Sequence, residues 1–574
     1  MSSVSNGELT ACDCSNGTVS EMGDTGFLSS YRIEKGPWQA LERAVARLYQ
    51  HIGWPHVALV GGSGDHGADI IVSDENEDFV IQVKFKKESS TLVNKGAVTE
   101  LKTAMDFYSI NKGYLATNTR LSSTANDYIQ ELNKTGYSIE KLEGNSLFSF
   151  YSQLPRIPDV EYTPYPYQVQ VIDSLWGVYH RGTTKTMVIL ATGLGKTFVA
   201  GTFIKRVLHD KPNARILILA NQKALLSQFE RALWKHLPKE VSTHIWDSGE
   251  KPAYDDGITL STFQTMRNAI IRDNFEGDYE VVIVDEAHHA PSDTYLEVIE
   301  KLNKKFLLGM TATPWRTDEK ELYDVFGNPC NNCVIDIVKA LQNGYLSKVD
   351  YRLLCDNLDW NFIQGKSKKK YSIKDLNKRL FLPERDEKVI EQIQKLWAEL
   401  SPKRAIIYCA SISHAKKMET VLREYNFSAR CLHSDLDFRE SERRLREFRR
   451  GKIQILTSMN MLNEGIDVPE VDLIIFLRVT HSRIIFLQQL GRGLRLSEGK
   501  EKVVVLDFVA DIKRIAETID IDAKVYGEKD QEVMKDQFNV QFSVQNAKTF
   551  FEEYLRDKAA IQEYSDDDTI VFPA

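Results

Sequence analysis

The chain has 574 residues, 42% of them hydrophobic and 27% charged, with 73 lysines and arginines against 81 aspartates and glutamates. That length exceeds what a single hydrophobic core supports and predicts roughly three or four domains. A net charge of −8 excludes a histone-like coating of nucleic acid, so any track for a phosphate backbone has to be local.

Seven cysteines in so long a chain do not make a disulfide framework, which fits a reducing compartment. No run reaches about eighteen continuous apolar residues, so no membrane contact is expected and the cytoplasm is the default location. Residues 1–30 hold Ser, Gly, Asn and Thr but no Lys or Arg, which predicts a disordered leader rather than a signal or transit peptide.

Order is expected from Tyr31, in a first domain over 31–150. Trp38, Leu41, Val45, Leu48 and Ile52 recur at helical spacing, and Gly53 follows as a stop. Two strand-like runs, Ala68 to Val72 and Phe79 to Phe85, flank the polar turn at 73–78. A helix (Val98 to Tyr108), a strand (Gly113 to Ala116) and a second helix (Thr124 to Leu132) complete a small α/β unit.

Strand alternation gives Phe79, Ile81, Val83 and Phe85 one face and Gln82 and Lys84 the other. A hairpin with the preceding strand brings Asp69 beside them. Phosphodiester hydrolysis needs a carboxylate to hold a divalent metal and a cation to steady the phosphate or the water. Asp69, the Gln82 side-chain oxygen and Lys84 supply those groups. Taken alone, Lys84 reads as a solvated lysine on a half-buried strand; its neighbours favour chemistry. The run Gly62 to Gly67 satisfies GxGxxG but leads into a strand, which rejects a dinucleotide site.

Residues 151–166 are proline-rich and read as a linker. Two blocks follow, 167–328 and 329–515, in which short β-branched runs alternate with amphipathic stretches, the pattern of parallel sheets. Within the second, Arg439 to Lys452 sets seven basic residues against three glutamates, either a backbone track or a solvated helix face. Cys330 and Cys333 form a lone CxxC, read as structural thiols in a loop. The tail, 516–574, is acidic and includes one amphipathic stretch over 547–555.

In the first block Ala191-Thr192-Gly193-Leu-Gly195-Lys196-Thr197 follows a strand (Met187 to Leu190) and opens a helix (Phe198 to Leu208). Backbone N–H groups at such a helix start cradle phosphates, a lysine neutralises their oxygens and a threonine holds magnesium. Leu190 stands where the full pattern has its first glycine. Further on, Val281 to Val284 runs straight into Asp285-Glu286-Ala287-His288, placing two carboxylates at a strand's C-terminal end. Asp285 suits the magnesium and Glu286 the attacking water.

On these motifs the chain over about 160–515 resembles a superfamily 2 DNA helicase of the type III restriction-subunit-like branch. Tyr167-Gln168 matches its adenine-reading site, 220–228 and 261–265 its strand-backbone contacts, and Thr311 to Thr313 its link between hydrolysis and movement. Asn463 to Pro469, with Asp467 contacting nucleotide, and Gln488 to Arg495 match the remaining motifs. The resemblance implies that Arg492 and Arg495 act as arginine fingers.

Over about 35–145 the front domain resembles the Mrr-like PD-(D/E)xK restriction endonucleases. Gly113 to Ala125 is similar to that family's later strand and helix. Glu42 falls where the family carries a further metal-supporting acid. Gln82 departs from the commoner acid and removes one negative charge.

The resemblances imply an α/β chain: a restriction-endonuclease-like domain, two RecA-like parallel-sheet domains and a short helical C-terminal tail. They imply ATP and Mg2+ as cofactors, with Mn2+ an alternative at the nuclease, and DNA as partner alongside a specificity or defence protein. The expected function is an ATP-dependent DNA helicase or translocase coupled to an endonuclease in restriction or phage defence. A motor with a non-catalytic DNA-binding anchor and an RNA-remodelling ATPase are the alternatives.

Overall fold

The computed structural model describes residues 26–29, 37–61, 67–74, 76–158, 163–252, 254, 256–272, 275–289, 293–312, 319–354, 370–372, 386–400, 402, 404–459, 471–477, 483–496, 499–508, 512–526, 537–543 and 569–571. Two compact units make up the chain: Met1–Thr163 with Glu230–Leu260, and Pro164–Phe229 with Ser261–Ala574.

The first unit is built on a sheet of five strands in chain order: β1 (His56–Leu59), β2 (Ile70–Ser73), β3 (Asp78–Lys84), β4 (Lys112–Thr117) and β5 (Ser138–Leu142). The first three pair antiparallel and the last three parallel. Helix α1 (Trp38–His51) covers one face, where Leu41, Val45, Leu48 and Tyr49 meet Ile70, Phe79, Ile81 and Val83. The helices Lys95–Tyr108 and Ser123–Asn133 cover the other, where Val98, Leu101 and Ile129 meet Ile71, Val80 and Leu115. The alternation along β3 is what permits both layers, since each side chain buried is worth about 1.5–3 kcal/mol. Gly53, at φ 100, ends α1 in a conformation open to glycine.

Segment Glu230–Leu260 belongs to this unit. Trp234 enters the α1 core cluster. Arg43 pairs with Glu230 (3.3 Å) and Glu250 (2.5 Å), Arg47 donates to the carbonyls of Val241 and Pro238, and Gln50 donates to that of Arg231.

In the second unit five parallel strands of one sheet run in the order Pro329–Ile335, Lys185–Leu190, Asn303–Thr311, Asp278–Val284, Ile216–Ala220. A seven-stranded parallel sheet follows, ordered Ala429–Leu432, Ile455–Ser458, Ala405–Cys409, Leu473–Leu477, Lys502–Asp507, Lys348–Leu353, Phe538–Phe542. At its centre Asp507 accepts from Arg514 (2.6 and 2.7 Å) and from the Tyr351 hydroxyl (2.7 Å), all three fully buried. Residues 370–372 and 569–571 form a separate antiparallel pair.

Three readings of the sequence need correction. Pro329–Ile335 pairs with Lys185–Leu190, so the boundary at 328/329 falls one strand too early. Cys330 and Cys333 lie on that strand, not in a loop, and are joined in a disulfide; a register shift between Pro329 and Val334 accommodates the turn-like residues. The helix Ile512–Tyr526 crosses the 515/516 boundary and Phe538–Phe542 completes the second sheet beside Lys348–Leu353, so part of the expected tail is sheet. The amphipathic stretch 547–555 lies outside the described residues. Among the described residues no helix is long and apolar enough to cross a membrane.

Candidate nucleotide and nuclease sites

Strand Lys185–Leu190 ends in a loop with Gly193 at φ 96 and Gly195 at φ 80, and Gly195 caps the helix Lys196–Asp210. Only glycine adopts these left-handed angles cheaply. A Cβ on Gly195 would also lie 2.7 Å from the Gln168 amide nitrogen. That nitrogen donates to the Leu194 carbonyl (3.0 Å), as does the Tyr167 hydroxyl (3.1 Å), while Gln168 Oε1 accepts the Tyr165 N–H (3.0 Å). Gln168 is thus held against the loop, and Thr192, Thr197 and Lys196 are half-buried along it.

Asp285 and Glu286 follow strand Asp278–Val284, which is flanked by parallel neighbours on both sides, and the Asp285 N–H donates to Leu219. Lys196 Nζ lies 3.1 Å from Glu286 Oε1, joining two motifs ninety positions apart. Glu286 has φ 47, a strained angle for a residue with a side chain. His288, buried, lies 3.3 Å from Glu286 Oε2 and 3.1 Å from the Thr311 hydroxyl. Burial, reinforced by Glu286, pushes the Asp285 carboxyl up to about 6. Burial opposes ionisation of Glu286, but Lys196 and His288 overcome it and hold that carboxyl well below the usual range.

The helix Arg483–Leu494 brings the last motif to the same place. A Cβ on Gly491 would lie 2.5 Å from the Thr192 methyl, and one on Gly193 3.5 Å from Arg495 Cγ. Arg492 is buried. Tyr345 stacks on Tyr167 with ring centroids 4.4 Å apart, and Ser347 bonds the carbonyls of Leu494 and Arg495. Asp467 and its motif lie outside the described residues, as does Thr313. In the basic stretch, Arg443 and Arg444 each pair with Glu440 at 2.7 Å, which favours a helix face neutralised by its own glutamates over a phosphate track there.

In the front domain the β2–β3 hairpin sets Asp69 beside Gln82, both buried. Asp69 Oδ2 accepts from Gln82 Nε2 and from the Val83 N–H, each at 2.6 Å. Gln82 Oε1 is buried without a hydrogen-bond partner. Glu42 reaches the same spot from α1: a Cβ on Gly61 would lie 3.1 Å from Asp69 Oδ1 and 3.3 Å from Glu42 Oε2. An oxygen lacking a donor and a cradle that any side chain at position 61 would fill are what a cation-binding trio presents. Among the described residues no group of three or more His, Cys, Asp or Glu gathers for a metal; this trio has an amide as its third member. Lys84 lies on the same strand, its ammonium 2.6 Å from Glu100. The sequence gives no sign of Glu100, Gly61 or Tyr345, whose partners lie in no shared motif.

Comparison with known proteins shows what the chain is similar to. Residues 33–151 match the family model of a restriction endonuclease, 161–316 that of the type III restriction enzyme res subunit, and 387–497 that of the helicase conserved C-terminal domain. A putative mitochondrial ATP-dependent helicase, irc3, of Schizosaccharomyces pombe is 28% identical over 374 residues, covering 62% of this chain and 59% of that protein. The type I restriction enzyme EcoAI endonuclease subunit of Escherichia coli is 24% identical over 397 residues, covering 62% of this chain and 48% of that protein. The chain thus spans about half to three-fifths of these relatives' length. Among solved structures, the ATP-dependent type ISP restriction-modification enzyme LlaBIII bound to DNA superposes with a TM-score of 0.51 at 15% identity. That match covers 91% of this chain and 41% of the other, a likeness of fold.

Proposed function

We propose, for a chain that belongs to the superfamily 2 helicases and carries a restriction endonuclease domain in front of them, that ATP hydrolysis drives movement along DNA and that the front domain cuts DNA. The observation that carries the motor reading is the 3.1 Å pairing of Lys196 with Glu286 beneath the glycine loop. Glu286, kept ionised by Lys196 and His288, takes the proton of the attacking water. Lys196 then turns to the phosphate oxygens, and Gln168 holds the loop and reads adenine. Arg492 and Arg495 approach the same phosphates from the other sheet's side, so turnover depends on the two sheets closing. A magnesium ion held by Thr197 and Asp285 would neutralise charge on the phosphates; Asp467 is assigned to the nucleotide by resemblance.

In the front domain Asp69, Gln82 and Glu42 would hold a divalent cation, Mg2+ or Mn2+, which supplies polarisation of the phosphodiester and an acidified water. Val83 fixes the Asp69 carboxylate by its N–H, and the free Gln82 oxygen supports the metal assignment. Lys84 leaves Glu100 for the DNA phosphate at little cost, because both ends of that pair are solvent-exposed enough to be screened. Restriction of foreign DNA in the cytoplasm, with selectivity supplied by a partner protein, is the role that best joins the two activities.

Gln82 in place of an acid, together with the Lys84–Glu100 pair, favours a second reading in which the front domain anchors DNA without cutting it. Single-stranded, duplex, forked and modified DNA, incubated with and without ATP and Mg2+ or Mn2+, and scored for phosphate release and for cleavage, separates the two. Phosphate release stimulated by DNA with cleavage supports the leading reading. Release without cleavage on every substrate supports the anchor, and stimulation by RNA alone overturns both.

A further inference from the structure

Helix Ile337–Gln342 follows strand Pro329–Ile335 and is stopped at Gly344, which has φ 65. The Gly344 N–H donates to the Leu341 carbonyl (3.0 Å) and the Tyr345 N–H to that of Ala340 (2.8 Å). Glycine adopts this left-handed angle without strain, so the direction in which the chain leaves the helix is set there. Strand Lys348–Leu353 of the seven-stranded parallel sheet begins just beyond.

Between the helix and that strand, Tyr345, Leu346 and Ser347 each meet a different part of the nucleotide site, all within the second unit. The half-buried Tyr345 ring stacks on Tyr167, and Tyr167 in turn donates its hydroxyl to the Leu194 carbonyl of the glycine loop. Leu346 is buried with its Cδ2 at contact distance, 3.4 Å, from the Cβ that Gly193 lacks. Ser347, also buried, donates its N–H to the Leu494 carbonyl (2.8 Å) and its hydroxyl to that of Arg495 (3.0 Å). Those carbonyls stand where the helix Arg483–Leu494 ends and has no donors of its own. Both bonds therefore fix the backbone of Arg495, whose Cγ lies 3.5 Å from the same point above Gly193.

We propose that Tyr345, Leu346 and Ser347 are positioning residues for ATP hydrolysis, which register Arg495 against the glycine loop while Tyr345 lies on Tyr167. The proposal rests on the reading of Arg495 as an arginine finger. A charge delivered to a phosphate works only at the right place, and a small displacement from a residue outside the chemistry is enough to lose rate. The segment touches the loop and the finger at once, so it carries the alignment of one to the other.

The full chain is assayed with DNA for single-turnover ATP hydrolysis, and for equilibrium affinity with a fluorescent ATP analogue. Tyr345→Ala should slow hydrolysis roughly three- to tenfold, the worth of one aromatic stack read as a rate. Affinity should stay within about twofold of wild type, since the loss falls on the transition state. Tyr345→Phe, which keeps the ring, should restore the rate, and Ser347→Ala should slow it by a comparable factor through loss of its hydrogen bond. Added to Arg495→Ala, Tyr345→Ala should cost nothing further, because both remove one interaction, whereas a general loss of packing would add its full factor.

A wild-type rate in Arg495→Ala would refute the finger reading itself. A slow Arg495→Ala beside an unimpaired Tyr345→Ala, or full additivity of the two, would overturn the positioning role and leave the finger standing. Weaker affinity with an unchanged rate at saturation would overturn it as well, by assigning Tyr345 to nucleotide binding. Should Tyr345→Ala fail to fold, Tyr345→Leu, which keeps apolar bulk without a ring to stack, and Ser347→Ala decide it by the same comparison.

Discussion

Gln82 gives an N–H to Asp69 at 2.6 Å and leaves its own carbonyl oxygen without a hydrogen-bond partner in the interior of the front domain. The amide is neutral, so it can lie against the Asp69 carboxylate when no cation is present, a position a second carboxylate could not share. Gln82→Glu should therefore lower stability in chelator by about 1–3 kcal/mol, through lost hydrogen bonding and like-charge repulsion. Added Mg2+ or Mn2+ should restore it and bind more tightly than to wild type. Thermal melts with and without cation check this, and a Gln82→Glu protein indifferent to divalent cations would remove the metal assignment.

Lys196 and Glu286 act on phosphate and water rather than on packing. Lys196→Ala and Glu286→Gln should each abolish DNA-stimulated ATP hydrolysis while the protein stays folded. Nucleotide binding should weaken in the first and persist in the second. Steady-state phosphate release with a parallel melting curve measures both, and brisk hydrolysis by Glu286→Gln would refute the role given to that carboxylate.

Arg492 lies on the helix Arg483–Leu494 and Arg495 just after it, between strands Leu473–Leu477 and Lys502–Asp507 of the second sheet, whereas the glycine loop follows a strand of the first. Replacing either by alanine should cost turnover by about 10³–10⁵ if it is a finger, while nucleotide affinity changes little. Equilibrium binding of a fluorescent nucleotide beside single-turnover hydrolysis distinguishes this from simple loss of packing, which would depress both.

The front sheet and the glycine loop were legible because each depends on neighbours in sequence. Alternation from Phe79 to Phe85 determines which residues face α1, and the β2–β3 hairpin follows from the polar turn between the runs. The loop's strand–glycine–helix context is equally local. Segment Glu230–Leu260 was not legible: the helix Lys223–Trp234 reads as amphipathic, and nothing local shows that Trp234 joins the α1 core or that Glu230 meets Arg43. The boundary at 329 misled because Pro329, Asn331 and Asn332 are turn formers, yet they occupy a bulged strand with Asn332 at φ 61. For Lys84 the strand face was legible and the partner, Glu100 on the helix Lys95–Tyr108, was not.

His51 makes the front unit sensitive to acid. It is buried at the end of α1 with Nε2 2.9 Å from the Pro155 carbonyl, and burial pulls its pKa from 6.5 down to about 4. The unfolded chain takes a proton near pH 6.5 and the native one only near 4, so between those values the unfolded state binds more protons. Stability should fall as pH drops through that window, by roughly 3 kcal/mol in all, and be flat in this contribution above and below it. Chemical denaturation from pH 8 to 4 measures the slope. His51→Gln, which keeps a donor for Pro155 but does not titrate, should remove it.

Cleavage carries the largest stake. Asp69→Ala and Lys84→Ala should each abolish it, the first by removing the cation's carboxylate and the second by removing the charge that meets the phosphate. DNA-stimulated ATP hydrolysis should continue in both, because the Lys196–Glu286 pair is untouched. Glu100→Gln should instead retain cleavage, since it frees Lys84 rather than deleting it. The motor's part in cutting is read by comparing wild type with Lys196→Ala on one DNA. We expect weaker cutting in the variant, because segment Glu230–Leu260, which lies between the two strand-contact motifs of the motor, is bonded to the helix that carries Glu42. Equal cutting by the two proteins would mean that the activities are tethered but not coupled.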